Sequence, residues 1–156
     1  MRVLLLCIGK TNQDFVQSGI DFFIKRLKRY CQFEIVVLPD VKNPAKYSPD
    51  QLKEKEAQAF QKYIGNKAYW VLDEKGKQYR SIKFADFLEK QAVNGQSDFV
   101  FCIGGALGFD KDFKRMATGS LSLSEMTFTH QFIRLMFIEQ LYRAFTILKN
   151  EPYHNE

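Results

Sequence analysis

Apolar residues fall in runs along this chain rather than in strict alternation. Residues 3–9 (VLLLCIG), 33–39 (FEIVVLP), 68–73 (AYWVLD) and 98–104 (DFVFCIG) are mostly continuous. Such runs predict strands covered on both faces, as in a parallel sheet. Between them the spacing turns helical. Phe15, Gly19, Phe22, Phe23 and Leu27 share one side of a segment over residues 15–30. A second helix opens at SPDQ, where Ser48 caps, Pro49 takes the first helical position and Gln51 closes a capping box; it stops at Gly65. Ser81 caps a third helix that ends at Asn94–Gly95. Strands alternating with helices predict an α/β fold of three layers around a mainly parallel sheet.

The last third reads differently. FDKDFKRMA, residues 109–117, predicts a short helix, and SLSLSEMTF, residues 120–128, a brief strand or loop of small residues. From Thr129 a strong helix follows. Ile133, Phe137, Leu141, Phe145 and Leu148 mark one face, and Phe132, Leu135, Met136, Ile138 and Tyr142 widen the apolar surface around it. A helix apolar over so much of its circumference requires burial on several sides, in the core or against a second subunit.

IGGALG, residues 103–108, closes the fourth apolar run. In open parallel sheets ligands bind beyond the carboxyl ends of strands, and glycine admits positive φ and close approach to the main chain. The spacing is neither GxxxxGK[ST] nor GxGxxG, so nucleotide triphosphates and dinucleotides fit poorly. A neutral or cationic nucleoside held by backbone contacts fits better, and S-adenosylmethionine is such a ligand.

Composition narrows the setting. The 156 residues suit one domain, 1–156, and are 46% hydrophobic and 26% charged, with 15 Phe. The apolar start is too short for a membrane span and carries no cleavage pattern, so a cytoplasmic protein is expected. Cys7 and Cys102 lie inside apolar runs and Cys31 precedes another; no CxxC or Cys/His spacing points to zinc, and no metal is expected. The net charge of +5 suits a polyanionic partner only weakly. KRLKRY, with Lys25, Arg26, Lys28 and Arg29, reads as a solvated helix face or as an RNA contact.

IGGALGFDKD, LSLSEMTFTHQFIRLMFIEQLYRAF and the closing PYHNE together resemble the SPOUT methyltransferases. Within that superfamily they resemble the RlmH family of ribosomal large-subunit pseudouridine N3-methyltransferases, from the opening VLLLCIGK through VLDEKGK to the end. The resemblance implies a C-terminal part tied in a deep trefoil knot, an obligate homodimer, S-adenosylmethionine as cofactor and a pseudouridine of 23S ribosomal RNA in assembled ribosomes as substrate. It implies a cofactor site made of Leu72, of the glycine loop with Gly104, Gly105 and Gly108, and of Leu123, Ser124, Glu125, Met126, Thr127 and Phe128.

Methyl transfer to N3 needs in-line alignment and removal of the N3 proton. With only two histidines, His154 is the leading candidate base, Arg143 its electrostatic partner and Tyr153 a stacking group. His130 and Arg134 are candidate RNA contacts, each with a packing or pairing alternative; Glu139 is a possible partner for either Arg134 or Arg143. The rivals are a SPOUT enzyme for a tRNA nucleotide, a non-catalytic ribosome-binding protein and a flavodoxin-like nucleotide binder, to which GKTNQD lends little.

Overall fold

The computed structural model describes residues 1–155. Five strands, β1 (Arg2–Ile8), β2 (Gln32–Leu38), β3 (Tyr69–Gln78), β4 (Asp98–Ile103) and β5 (Gly119–Ser122), form one sheet in the order β2-β1-β4-β3-β5. Every pairing is parallel. The helices are α1 (Asp14–Leu27), α2 (Pro49–Ile64), α3 (Ser81–Val93), α4 (Lys111–Met116) and α5 (Phe132–Leu148).

The continuous apolar runs are explained by cover on both faces. Val3, Leu5 and Cys7 of β1, with Phe99 and Phe101 of β4, pack against α1, α3 and α5. Leu4, Leu6 and Ile8, with Val100 and Cys102, pack against Phe60 and Ile64 of α2 and Phe113 of α4. Alternate residues therefore feed two cores, and a polar residue on either face would lose roughly the value of a buried side chain, about 2 kcal/mol. Burial pushes the Cys7 thiol up to about 12 and the Cys31 thiol up to about 11, as suits packing groups rather than nucleophiles.

The capping box of α2 is present in full, with Ser48 Oγ accepting from Gln51 N and Gln51 Oε1 accepting from Ser48 N. The expected cap of α3 is not: Arg80 holds that position, and its side chain makes no capping hydrogen bond. Ser81 instead donates from Oγ to Gln140 Oε1 at 2.8 Å, tying α3 to α5. The last helix begins at Phe132 rather than Thr129, whose Oγ1 accepts from Phe132 N at 3.1 Å.

Much of the wide apolar surface of α5 is consumed within the chain. Phe137, Ile138, Leu141, Ala144 and Phe145 are buried between α1, α3 and the sheet. Phe15 and Phe22 on α1, seven residues apart and so on one helical face, stay 65% and 47% exposed.

Candidate active site: a cleft at the strand ends

β3, β4 and β5 run in the same direction, so the loops leaving their carboxyl ends meet. They enclose a cleft of about 590 Å³, within the usual size of a small-molecule site. Its apolar walls come from Leu72, Ile103, Leu121, Leu123, Phe128 and Ile133. Gly104, Gly105 and Gly108 supply bare main chain.

Each glycine has a local cause. Gly108 adopts φ +79°, and its N–H donates to Gly105 O at 3.1 Å to close the turn. A Cβ on Gly105 would lie 2.5 Å from Glu56 Oε1, while Gly105 N donates to Glu56 Oε2 at 3.1 Å. Glu56, on α2, thus clamps the loop from behind. Burial raises its carboxyl above the ordinary range, opposed by the Gly105 hydrogen bond.

β3 reaches the cleft through an irregularity. Leu72 and Lys77 both pair with Leu121, so residues 73–76 bulge out between them. The bulge turns Asp73, Glu74 and Lys75 toward the cleft, and Thr127 Oγ1 donates to Glu74 Oε2 at 2.6 Å across it. His130 lines the same cleft. Burial, and then the Arg134 charge, hold its imidazole below the ordinary value of 6.5, so it is neutral at pH 7.

Residues 1–154 match the family described as "Predicted SPOUT methyltransferase". The chain belongs to the SPOUT methyltransferase family. Relatives named "Ribosomal RNA large subunit methyltransferase H" from Flavobacterium psychrophilum and Parabacteroides distasonis are each 45% identical, over 100% of both chains. That from Bacteroides fragilis is 41% identical, again over 100% of both. A solved structure, a probable methylase family protein from Haemophilus influenzae, shares the fold at TM-score 0.55 and 11% identity; 99% of this chain and 70% of that one align.

Against the site expected for a SPOUT methyltransferase, the structure gathers Leu72, Gly104, Gly105, Gly108, Leu123, Ser124, Met126, Thr127 and Phe128 around one cleft. Glu125 is exposed and does not line the cleft. Met126 lines the cleft yet is 76% exposed, so it is not the core residue that its sequence context alone suggests.

Arg134 requires a correction. It is 0% exposed, and its guanidinium donates to Gly9 O at 2.8 Å, Thr11 Oγ1 at 3.1 Å, His130 O at 3.2 Å and Ile8 O. With its donors spent on the end of β1, it fastens α5 to the sheet and offers nothing to RNA.

The other expected catalytic residues form a separate cluster. Arg143 donates to Glu139 Oε1 from Nη2 at 2.6 Å and from Nε at 3.1 Å, and Tyr153 Oη donates to the same oxygen at 3.1 Å. Arg143 lies 4.7 Å from the Tyr153 ring centroid, and His154 Nδ1 is 3.4 Å from Arg143 Nη1. Burial and then Glu139 push the Tyr153 hydroxyl up. Ten residues of α5 part Arg143 from Ile133 at the cleft, a rise of about 15 Å. Beyond the cluster, Glu151 bonds Arg29 and Tyr30 beside the start of β2. The tail and the cleft of one chain therefore lie toward opposite ends of the sheet. Glu156, the last residue of PYHNE, lies outside the described residues.

Lys25, Arg26, Lys28 and Arg29 are exposed near the end of α1. Arg26 lies flat on Phe22 at 3.4 Å, and Arg29 is paired with Glu151 at 3.3 Å. Sequence reasoning missed Glu56 and the 73–76 bulge as parts of the site. Gly76 inside a strand was the available signal, since an isolated strand glycine marks a bulge. Among the described residues no group of three or more His, Cys, Asp or Glu is gathered that could hold a metal.

Proposed function

We propose that this chain is a cytoplasmic S-adenosylmethionine-dependent enzyme that methylates N3 of a pseudouridine in 23S ribosomal RNA, working as a homodimer with the family's trefoil knot. The observation that carries the reading is the cleft itself: three strand-end loops enclose a space with apolar side chains on its inner walls and a glycine backbone on one side, in a chain of this family. The donor set fits the cofactor. Apolar side chains can flank an adenine, main-chain amides and carbonyls of the glycine loop can read its edge, and a neutral His130 does not repel a positively charged sulfur.

The cofactor supplies a methyl group on a sulfonium whose leaving group is a neutral thioether. The chain must then align the acceptor nitrogen and take its proton. We assign His154 to accept that proton, which would leave N3 as the methyl group passes from sulfur to nitrogen and the thioether departs. Arg143 stabilises the anion that develops on the base, and Tyr153 stacks on it. Glu139 holds Arg143 and Tyr153 in register for this task. About 15 Å of helix separates this group from its own cleft, so we assign the tail to the cleft of the second chain. The exposed Phe15 and Phe22 provide an apolar face of the kind that such a contact buries.

The test is methyl transfer from labelled S-adenosylmethionine to ribosomes lacking the modification, with the product nucleoside identified by mass spectrometry. The reading expects N3-methylpseudouridine from the large subunit. Label on transfer RNA alone would move the activity to another substrate, and cofactor binding without transfer to any RNA would leave a binding protein.

A further inference from the structure

The mouth of the cleft carries more positive charge than a cofactor with one carboxylate can pair. Four lysines line it, drawn from three separate elements: Lys53 of α2, Lys75 of the β3 bulge, and Lys111 and Lys114 of α4. The carboxylates lining the same space are two, Asp73 and Glu74. Lys114 Nζ pairs with Asp73 at 2.7 Å, and Lys53 Nζ with Asp50 at 2.9 Å. Glu74 is engaged by Thr127. Lys75 and Lys111 are exposed and form no ion pair among the described residues.

The methyl donor brings a sulfonium, an ammonium and a single carboxylate, so four lysines exceed what it can pair. A phosphate chain laid over the mouth gains from every one of the four. We propose that Lys53, Lys75, Lys111 and Lys114 form the phosphate-contact surface for the RNA substrate, holding the backbone on either side of the nucleotide that enters the cleft. This rests on the proposed function and adds where the RNA lies. It places the contact on α2, α4 and the bulge of the chain that holds the cofactor. KRLKRY of that chain lies toward the other end of α1, with Arg29 paired internally.

The variant is Lys75→Gln with Lys111→Gln, which removes the two unpaired charges and leaves the ion pairs that support the fold. Binding to ribosomes lacking the methyl group is measured across a potassium chloride series at fixed magnesium, and S-adenosylmethionine affinity by calorimetry. Each lost phosphate contact on a single strand removes about 0.7 from the slope of log K against log salt, so the slope should become shallower by about 1.4. KM for ribosomes should rise about tenfold and cofactor affinity should not change. Lys62→Gln with Lys90→Gln removes the same charge on exposed turns outside the cleft lining and should keep the wild-type slope.

A slope equal to wild type in the first variant overturns the proposal. So does a fall in cofactor affinity with the slope intact, which would give the lysines to the cofactor. If the wild-type protein neither binds ribosomes nor transfers methyl, the functional reading itself has failed before any variant is compared.

Discussion

At the scale of single residues, the structure separates groups that look alike in the sequence. Arg134 and Arg143 are both cations in an apolar helix, yet one is buried and bonded to the end of β1, the loop after it and His130 O, and the other faces the tail. Arg134→Met should destabilise the fold by about 3 kcal/mol, because buried Ile8 and Gly9 carbonyls lose their donor. Urea unfolding measures this, and a change under about 0.5 kcal/mol, the range of ordinary surface substitutions, would contradict it. No periodicity distinguishes the two arginines, since three of the four partners of Arg134 lie more than a hundred residues away. Glu56 was hidden for the same reason. Glu56→Ala should loosen the glycine loop and cut cofactor affinity about tenfold, whereas Glu56→Gln keeps an acceptor for Gly105 N–H and most of the affinity. Calorimetry on both variants decides, and equal losses would remove the clamp. His130 gives a pH dependence with a definite sign. Its folded value is depressed, so the imidazole is neutral above 6.5 and becomes a cation only on further acidification. Cofactor affinity should be flat above that pH and fall below it, and His130→Gln should abolish the acid loss.

At the scale of elements, the regular parts of the fold were legible. Continuous apolar runs gave parallel strands, the Ser48–Gln51 box gave the start of α2, and the glycine run gave the end of β4. Irregular elements were not. The β3 bulge depends on pairing with β5, a partner that sequence alone leaves as a strand or a loop, and only Gly76 betrays it. A knot of the kind proposed would leave no periodic signature, because chain threading leaves the spacing of apolar residues unchanged. The tail stands out because it carries one of only two histidines, but its distance from the cleft cannot be read without the axis of α5. Ending the chain at Pro152 should leave cofactor affinity within about twofold of wild type, since no described residue beyond it lines the cleft, and should cost methyl transfer at least the 10²-fold typical of a lost general base. Parallel calorimetry and turnover assays check both halves. Full turnover without the tail would take His154 and Tyr153 out of the mechanism.

At the scale of the whole molecule, one chain holds the cleft and, about 15 Å along α5 from it, the Arg143–Tyr153–His154 cluster proposed to handle the proton, too far apart to serve each other. Two chains remove the difficulty if each lends its tail to the other's cleft. Mixed dimers test that arrangement most directly. A Gly104→Val chain keeps its tail but crowds the cleft, where even a Cβ would approach Gly108 O to 3.2 Å. A chain ending at Pro152 keeps its cleft but lacks the tail. Each variant alone should sediment as a dimer and fail to methylate ribosomes. Co-refolded together, they should recover methyl transfer, because the mixed dimer joins one intact cleft to one intact tail. Mixed dimers that form yet stay inactive would show that cleft and tail must belong to the same chain, and would contradict the account.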